Sequence, residues 1–317
     1  RSQLKENAQK VLNTSLVLLA LLLAFLKKKM NKKKNQSQKY SNTNKRNSRM
    51  AGTKKRNQNT VRESVYQSPN MQVVEGRHAV REALLAGKRQ VREVIFSDGV
   101  ESASILEDIR QLADELRVPL HTYTRSKFKS ITVTESAQGV LAKCEPLPDL
   151  DLEDLIEANP KPFILVMDGL MDPRNLGAII RSGECAGATG ILMPKHRSVR
   201  ITPTVSKTAQ GAIEHIPIAS TSGIPKAISK LKESGIWTVG LDIVAETDIY
   251  DIQVATGPIA LVLGSEGKGL GRLTRERCDV IAGIPLQGIT ESLNVSAASA
   301  IACFEIARQR RSSGEHG

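Results

Sequence analysis

Apolar runs and helical patterns alternate over the second half of the 317-residue chain. Runs at 163–167, 190–193 and 259–263 have the length and composition of buried strands, and each precedes a segment with helical periodicity. Strands that alternate with helices predict an α/β fold with a mostly parallel sheet. Ligands of such open sheets bind beyond the carboxyl ends of the strands. We therefore expect function in the polar segments that join strands to helices.

Three polar or glycine-rich segments stand at such junctions. They are 168–181 (DGLMDPRNLGAIIR), 263–270 (LGSEGKGL) and 284–296 (IPLQGITESLNVS). Residues 264–271 hold four glycines, which indicates either a tight turn or backbone that is open to a ligand. This glycine-rich segment does not match the dinucleotide fingerprint. It does not match a P-loop either, because no Gly-Lys-Ser/Thr sequence occurs in it.

Residues 71–146 predict a small α/β domain ahead of the main sheet. Helical patterns alternate there with strand-like runs, and Gly87 ends the first helix. An acidic stretch with prolines at 147–160 predicts a linker, residues 161–311 the larger α/β domain, and residues 312–317 a short tail. In the polar sequence Gly76-Arg77-His78, either the histidine starts a helix or Arg77 contacts RNA.

The positive charge of the chain is concentrated at its beginning. Residues 1–62 hold 17 Lys or Arg and one acid, whereas the rest holds 28 basic and 32 acidic residues. Such a composition cannot bury a core, so residues 1–70 are predicted to be a disordered basic tail. The tail could be an RNA-binding arm or merely a solubilising segment, with a plastid transit peptide as a minor alternative.

An apolar run at 16–26 interrupts this tail. It is shorter than the roughly 20 residues that a membrane span needs, and three lysines follow it rather than a small-residue cleavage site. We therefore predict no membrane association. Because the chain starts at Arg1, we expect the native protein to begin at Met30 or Met50, with upstream sequence before it.

Together, the three segments resemble the motifs of the SpoU (TrmH-like) family of RNA 2′-O-ribose methyltransferases, in the trefoil-knotted SPOUT class. The first motif is matched by 172–181, the second by 263–267, and the third by 284–286 with 292–296, in the family's order. The first domain resembles the L30e-like substrate-binding domain found in part of the family. The sequences EGRHAV at 75–80 and PKHRS at 194–198 are similar to a bacterial subgroup that methylates a guanosine of large-subunit (23S) rRNA.

This resemblance implies S-adenosylmethionine as the methyl donor and a deep trefoil knot in the C-terminal domain, whose loops form the donor pocket. We expect glycine at position 264 to let the backbone approach the donor, and Ile284 and Leu286 to offer an apolar slot for adenine. The donor-binding residues that the resemblance implies are Leu263, Gly264, Ile284, Leu286, Ser292, Leu293 and Asn294.

The resemblance also implies the catalytic residues, which are Arg181, Asn175, Glu266, Ser292 and Asn294. In the family the arginine matched by Arg181 is proposed to take the proton of the ribose hydroxyl. A guanidinium is normally never deprotonated in proteins, so Arg181 could equally orient ribose or phosphate. RNA contacts are expected at Arg77, Arg174 and Arg181. No metal is expected, since no cysteine or histidine spacing is typical of a metal site.

The family acts as a homodimer, which implies the same assembly here, with 23S rRNA as partner and a cytoplasmic location. The apolar stripe of Ile301, Phe304 and Ile306 fits either a core or that interface. Two alternatives remain open. One is the same chemistry on tRNA or on another rRNA site, and the other is an inactive relative that only binds RNA. The complete set of catalytic residues argues against the inactive relative.

Overall fold

The computed structural model describes residues 71–134, 136–196 and 198–314. The predictions made for the basic tail lie outside these residues. The described chain forms two β-sheets, one of four strands and one of seven.

The first sheet is mixed, with the strand order β1-β4-β2-β3. β4 is antiparallel to both of its neighbours, and β2 is parallel to β3. The elements of this part are β1 (Gln72–Glu75), α1 (Arg77–Ala86), β2 (Val91–Ser97), α2 (Ser104–Glu115), β3 (Leu120–Tyr123), α3 (Arg125–Ile131) and β4 (Val140–Cys144). β1 and α3 had not been predicted, because each is too short for its pattern to stand out.

The predicted linker contains a short helix, α4 (Leu152–Glu157). Asp151 and Asp154 form a capping box at its start. Leu155 is buried against Gly190, where an added Cβ would lie 2.9 Å from a leucine methyl carbon. This part of the predicted linker therefore packs against the second sheet.

The second sheet has the strand order β7-β6-β5-β10-β8-β11-β9, and every strand pair recorded in it is parallel. The predicted α/β fold with a mostly parallel sheet is confirmed. Its strands are β5 (Phe163–Asp168), β6 (Gly190–Pro194), β7 (Ile218–Thr221), β8 (Trp237–Leu241), β9 (Thr247–Asp248), β10 (Ile259–Gly264) and β11 (Val280–Gly283). β7 and β9 had not been predicted, since both are short.

The helices of this part are α5 (Pro173–Cys185), α6 (Pro203–Thr208), α7 (Ile224–Glu233), α8 (Arg272–Arg277) and α9 (Val295–Ser312), with 3₁₀ turns at Ala212–Glu214 and Ile249–Asp251. None of the described helices is both long and apolar enough for a membrane span.

Strand β10 lies in the middle of the second sheet and is buried along its whole length. Its last residue, Gly264, pairs with Asp168 of β5, and Leu263 pairs with Leu241 of β8. Because these strands are parallel, the loops that follow them leave the sheet at the same edge. This edge brings the second motif beside the first.

Two helices begin near that edge with side-chain caps. Asp172 is the N-cap of α5, and its Oδ1 accepts a hydrogen bond from the backbone N of Arg174 at 2.8 Å. The last helix, α9, begins at Val295, because Asn294 is its N-cap and accepts a hydrogen bond from the backbone N of Ser296 at 2.9 Å.

Helix α9 packs on α5. The apolar stripe of this helix, which the sequence assigned to either a core or an interface, is only partly buried. Ile306 is fully buried in the core, whereas Phe304 is 48% exposed.

Candidate functional site

A cavity of about 590 Å³ opens at the carboxyl edge of the second sheet. Loops after β8, β10 and β11 form it together with the first turn of α9. The lining residues are Leu241, Asp242, Ile243, Val244, Leu263, Gly264, Ser265, Glu266, Gly267, Lys268, Gly269, Ile284, Leu286, Glu291, Ser292, Leu293, Asn294, Val295 and Ala298. All seven residues predicted to hold the donor are among them. The volume lies within the roughly 300–1,000 Å³ of small-molecule sites.

A chain of hydrogen bonds beside this cavity joins the three motifs. Asn175 Nδ2 donates to Glu266 Oε1 at 2.9 Å, and Asn294 Nδ2 donates to Asn175 Oδ1 at 3.1 Å. Asn294 Oδ1 in turn accepts from the backbone N and the hydroxyl of Ser296, at 2.9 and 2.6 Å. Each amide thus acts as donor and acceptor at once, which sets its orientation. Residues separated by 91 and 119 positions in sequence are held together in this way.

The glycine-rich loop after β10 is a tight turn and also a wall of the cavity. Ser265 and Gly269 exchange two backbone hydrogen bonds of 3.0 Å. A Cβ on Gly264 would lie 2.2 to 2.4 Å from backbone atoms of Gly269 and Leu270. We had expected this glycine to make room for the donor. The structure corrects that reason, because the loop's own backbone fills the space.

Two aspartates hold the loops around the cavity. Asp168 Oδ2, at the end of β5, accepts from the backbone N of Gly271 at 2.8 Å and so ties the glycine-rich loop to the first motif. Asp242 Oδ1 accepts from the backbone N of Val244 at 3.0 Å, and its Oδ2 lies 3.0 Å from Arg275 Nη1.

The cavity wall formed by Asp242, Ile243 and Val244 had not been predicted from sequence. These residues belong to none of the three motifs. The available signal was their position just after β8, but its use required knowing that β8 lies beside β10.

The predicted arginines lie apart from the cavity lining. Arg181 is exposed on α5 and makes no hydrogen bond or ion pair with any described residue. Arg174 is exposed too, seven residues earlier and so about two turns away along nearly the same face. Arg77 begins α1, where its Nε donates to the carbonyl of Gln138 at 3.2 Å. The structure therefore brings the amide, carboxylate and serine residues to the cavity and leaves the three arginines outside its lining.

Thiol groups contribute little to the chemistry available here. Burial raises the pKa of Cys144, Cys278 and Cys303 to about 12, so these thiols stay protonated at neutral pH. Cys185 is exposed, and partial burial raises its pKa as well. Across the described parts of the chain, no group of three or more His, Cys, Asp or Glu side chains is arranged to hold a metal ion.

The cavity can hold a molecule with a flat apolar part and a polar part. Leu286 and Leu293 are 38% and 42% exposed and present apolar surface to it. Asp242, Glu266 and Glu291 supply carboxylates, which accept hydrogen bonds from hydroxyl and ammonium groups. The fixed amides of Asn175 and Asn294 are linked to this group through Glu266.

Comparison with known proteins gives two family matches. Residues 162–304 match the SpoU rRNA Methylase family, and residues 73–150 match the family described as RNA 2′-O ribose methyltransferase substrate binding.

Among curated relatives, the chain is 40% identical over 245 residues to the 23S rRNA (guanosine-2′-O-)-methyltransferase RlmB of Pseudomonas putida, covering 76% of this chain and 98% of that protein. It is 37% identical over 244 residues to YacO of Bacillus subtilis, covering 76% of this chain and 96% of that protein. The name of YacO refers to the TrmH family and to both tRNA and rRNA.

Among solved structures, the SpoU methyltransferase AviRb of Streptomyces viridochromogenes in complex with AdoMet has a TM-score of 0.68 at 24% identity. The match covers 81% of this chain and 99% of that one. An AdoMet-bound rRNA methyltransferase of Sinorhizobium meliloti has a TM-score of 0.61 at 22% identity, over 80% of this chain and 91% of that one. At these identities the likeness is one of fold.

Proposed function

The chain belongs to the SpoU rRNA methylase family, and we propose that it transfers a methyl group from S-adenosylmethionine to the ribose 2′-oxygen of a guanosine in 23S rRNA. The observation that carries this proposal is the hydrogen-bonded chain of Glu266, Asn175 and Asn294 beside a cavity of ligand size. The match to a guanosine-specific relative over most of its length supports the choice of substrate.

The residues around the cavity fit the donor. Ile284, Leu286 and Leu293 provide apolar surface for adenine, and the carboxylates provide acceptors for the ribose hydroxyls and the ammonium group. When bound, S-adenosylmethionine supplies a methyl group that its sulfonium makes electrophilic. We assign its binding to Leu263, Gly264, Ile284, Leu286, Ser292, Leu293 and Asn294.

The protein's own contribution is chiefly to position the acceptor ribose. Asn175 and Glu266 hold each other in one orientation next to the cavity, so they can orient a hydroxyl without rearranging first. Arg181 lacks a partner among the described residues, and its fork of N–H groups suits a phosphate or a ribose oxygen. We assign Arg181 and Arg174 to the bound RNA, with Arg77 as a further contact on the first domain.

The C-terminal domain is proposed to contain a deep trefoil knot. Likeness in fold to SpoU structures supports it. We divide the chain into an L30e-like substrate-binding domain at 71–146, a linker at 147–160 and the methyltransferase domain at 161–311. The match to the substrate-binding family over 73–150 supports this division.

We propose further that the enzyme is a homodimer and acts in the cytoplasm, where rRNA is modified. Two large apolar side chains lie exposed on the elements that pack together near the site. They are Phe304 of α9, at 48%, and Met171 just before α5, at 63%. A second copy of the chain would cover such surface.

The test is methyl transfer from labelled S-adenosylmethionine into 23S rRNA and, separately, into tRNA, followed by mapping of ribose methylation. A single 2′-O-methylguanosine in 23S rRNA is expected. If only tRNA is labelled, ribose methylation stands as the reaction but 23S rRNA is not the substrate. Binding of donor and RNA without transfer to either would instead indicate a relative that only binds RNA.

A further inference from the structure

The domain of the first sheet contacts the domain of the second sheet at an interface that contains none of the three sequence motifs. On one side lie β1, α1 and the loop that follows α1, and on the other lie α6 and the 3₁₀ turn Ala212–Glu214. We call this contact the seam.

A buried ion pair crosses the seam. Arg89 donates from Nε to Glu214 Oε2 at 3.1 Å and from Nη2 to Glu214 Oε1, so the contact is bidentate. Both side chains are only 1% exposed. Arg89 Nη1 also donates to Gln72 Oε1 at 2.8 Å, which fixes the guanidinium against β1. A bidentate arginine–carboxylate contact requires one relative orientation of the two side chains, whereas apolar contacts do not.

A lysine next to the pair adds to the charge buried there. Lys88 Nζ is shielded from solvent and has no hydrogen-bond partner in the described part of the chain. Burial lowers the pKa of Lys88, and the carboxylate of Glu214 opposes that effect. Glu214 thus faces two basic side chains of the first domain.

Close packing surrounds the pair, where Gly211 lies against the side chain of Glu82. A Cβ on Gly211 would lie 2.4 Å from Cγ and 2.5 Å from Cβ of Glu82, and Gly211 has a φ of +93°. Glu82 Oε2 is also 2.8 Å from Nε2 of His215, the residue after the 3₁₀ turn. Only glycine fits at position 211, so the seam requires a glycine as well as an ion pair.

The seam connects directly to the candidate active site. α6 and the 3₁₀ turn pack on α5, where a Cβ on Gly177 would lie 2.6 Å from Cβ of Thr208. Asn175 stands on the first turn of that same helix and bonds Glu266. On the other side of the seam, Arg77 follows Gly76, where a Cβ would be 3.5 Å from the Lys207 side chain. A closely packed path thus runs from the first domain to the amide network.

We propose that the Arg89–Glu214 pair locks the substrate-binding domain to the methyltransferase domain and thereby positions bound rRNA relative to the amide network. Arg89 and Glu214 are positioning residues in this proposal, and neither touches donor or ribose. The kinetic part rests on the proposed function, whereas the lock itself does not.

The test removes both charges of the pair together, so that neither Arg89 nor Glu214 is left buried without the other. In full-length protein, Arg89→Met with Glu214→Gln is expected to raise hydrogen exchange at the seam, in 72–90 and 205–216, while the buried strand β5 stays protected. kcat/KM for 23S rRNA should fall by about tenfold to a hundredfold, since small displacements of a substrate are costly. The Kd for S-adenosylmethionine should stay unchanged. Glu214→Gln alone leaves Arg89 buried without its carboxylate and should show a change at least as large in the same direction.

The matched control is Arg92→Met with Glu145→Gln, which removes an exposed ion pair outside the seam by the same substitutions and should change neither readout. Unchanged exchange at the seam would overturn the lock. Raised hydrogen exchange with unchanged rRNA kinetics would overturn the positioning role. The same conclusion would follow if the double variant lost donor binding while Glu214→Gln kept normal rRNA kinetics. If the unmodified protein methylates no rRNA, the proposed function fails, while the exchange comparison still decides the lock.

Discussion

Arg181 is a polar residue of the first motif whose side chain makes no hydrogen bond or ion pair with a described residue. If it acts on RNA, Arg181→Ala should leave the Kd for S-adenosylmethionine unchanged and lower methyl transfer by about a hundredfold or more, the usual effect of losing one well-placed donor to the reacting group. Calorimetry and single-turnover transfer measure the two effects.

Arg272→Ala is the matched control, because Arg272 is bonded to Glu276 and does not line the cavity. Near-normal turnover in Arg181→Ala would reject the assignment. Arg181→Lys separates the two roles left open. A base at this position would make the rate rise towards the pKa of lysine, about 10.4, whereas an orienting group would leave the pH profile unchanged.

Asn294 does two things that substitution can separate. It caps α9 through Ser296 and donates to Asn175. Asn294→Ala should lose both, which lowers stability by about 1 kcal/mol through the cap and also weakens donor binding and transfer. Asn294→Asp keeps the cap but cannot donate to Asn175, so it should retain stability and still lose binding. Thermal unfolding and donor titration measure these effects, and equal stability loss in both variants would contradict the separation.

At the scale of elements, the turn after β10 can close only because Gly264 has no side chain. Gly264→Ala would place Cβ within 2.4 Å of the backbone of Gly269 and Leu270, so the loop would have to open. We expect a clear loss of donor affinity with the sheet intact, measured by calorimetry and circular dichroism. Gly223→Ala is the control, because Gly223 has an extended φ of −164° and open space around it. Unchanged affinity in Gly264→Ala would show that the turn can adapt.

The same element shows what local sequence could predict. Its four glycines indicated a turn or a ligand loop, and it proves to be a turn that lines the cavity. The reason for Gly264 was wrong at first, because the atoms that exclude a side chain come from the loop's own closure. Only the folded path of the backbone determines that distance.

At the scale of the whole molecule, the proposed homodimer predicts that the exposed face of α9 is an interface between two copies. Phe304→Asp would place a carboxylate on the exposed face of α9, and burial of an unpaired charge at an interface is costly. We expect a monomer by light scattering and reduced methyl transfer. Leu116→Asp is the control, since Leu116 is equally exposed but lies in the first domain. A dimer that persists in Phe304→Asp would place the interface elsewhere.

The sequence by itself indicated the α/β class and the order of the three motifs, and the resemblance of those motifs to a known family implied the seven residues expected around the donor. These follow from periodicity and from motifs that lie in short segments of chain. Only the tertiary structure decided that β10 lies between β5 and β8, that Asp242 and its neighbours wall the cavity, that Asn175 bonds Glu266 and Asn294, and that Arg89 meets Glu214. The physical reason is that strand order and side-chain pairing across 91 to 125 residues depend on how the entire chain packs, which no local pattern records.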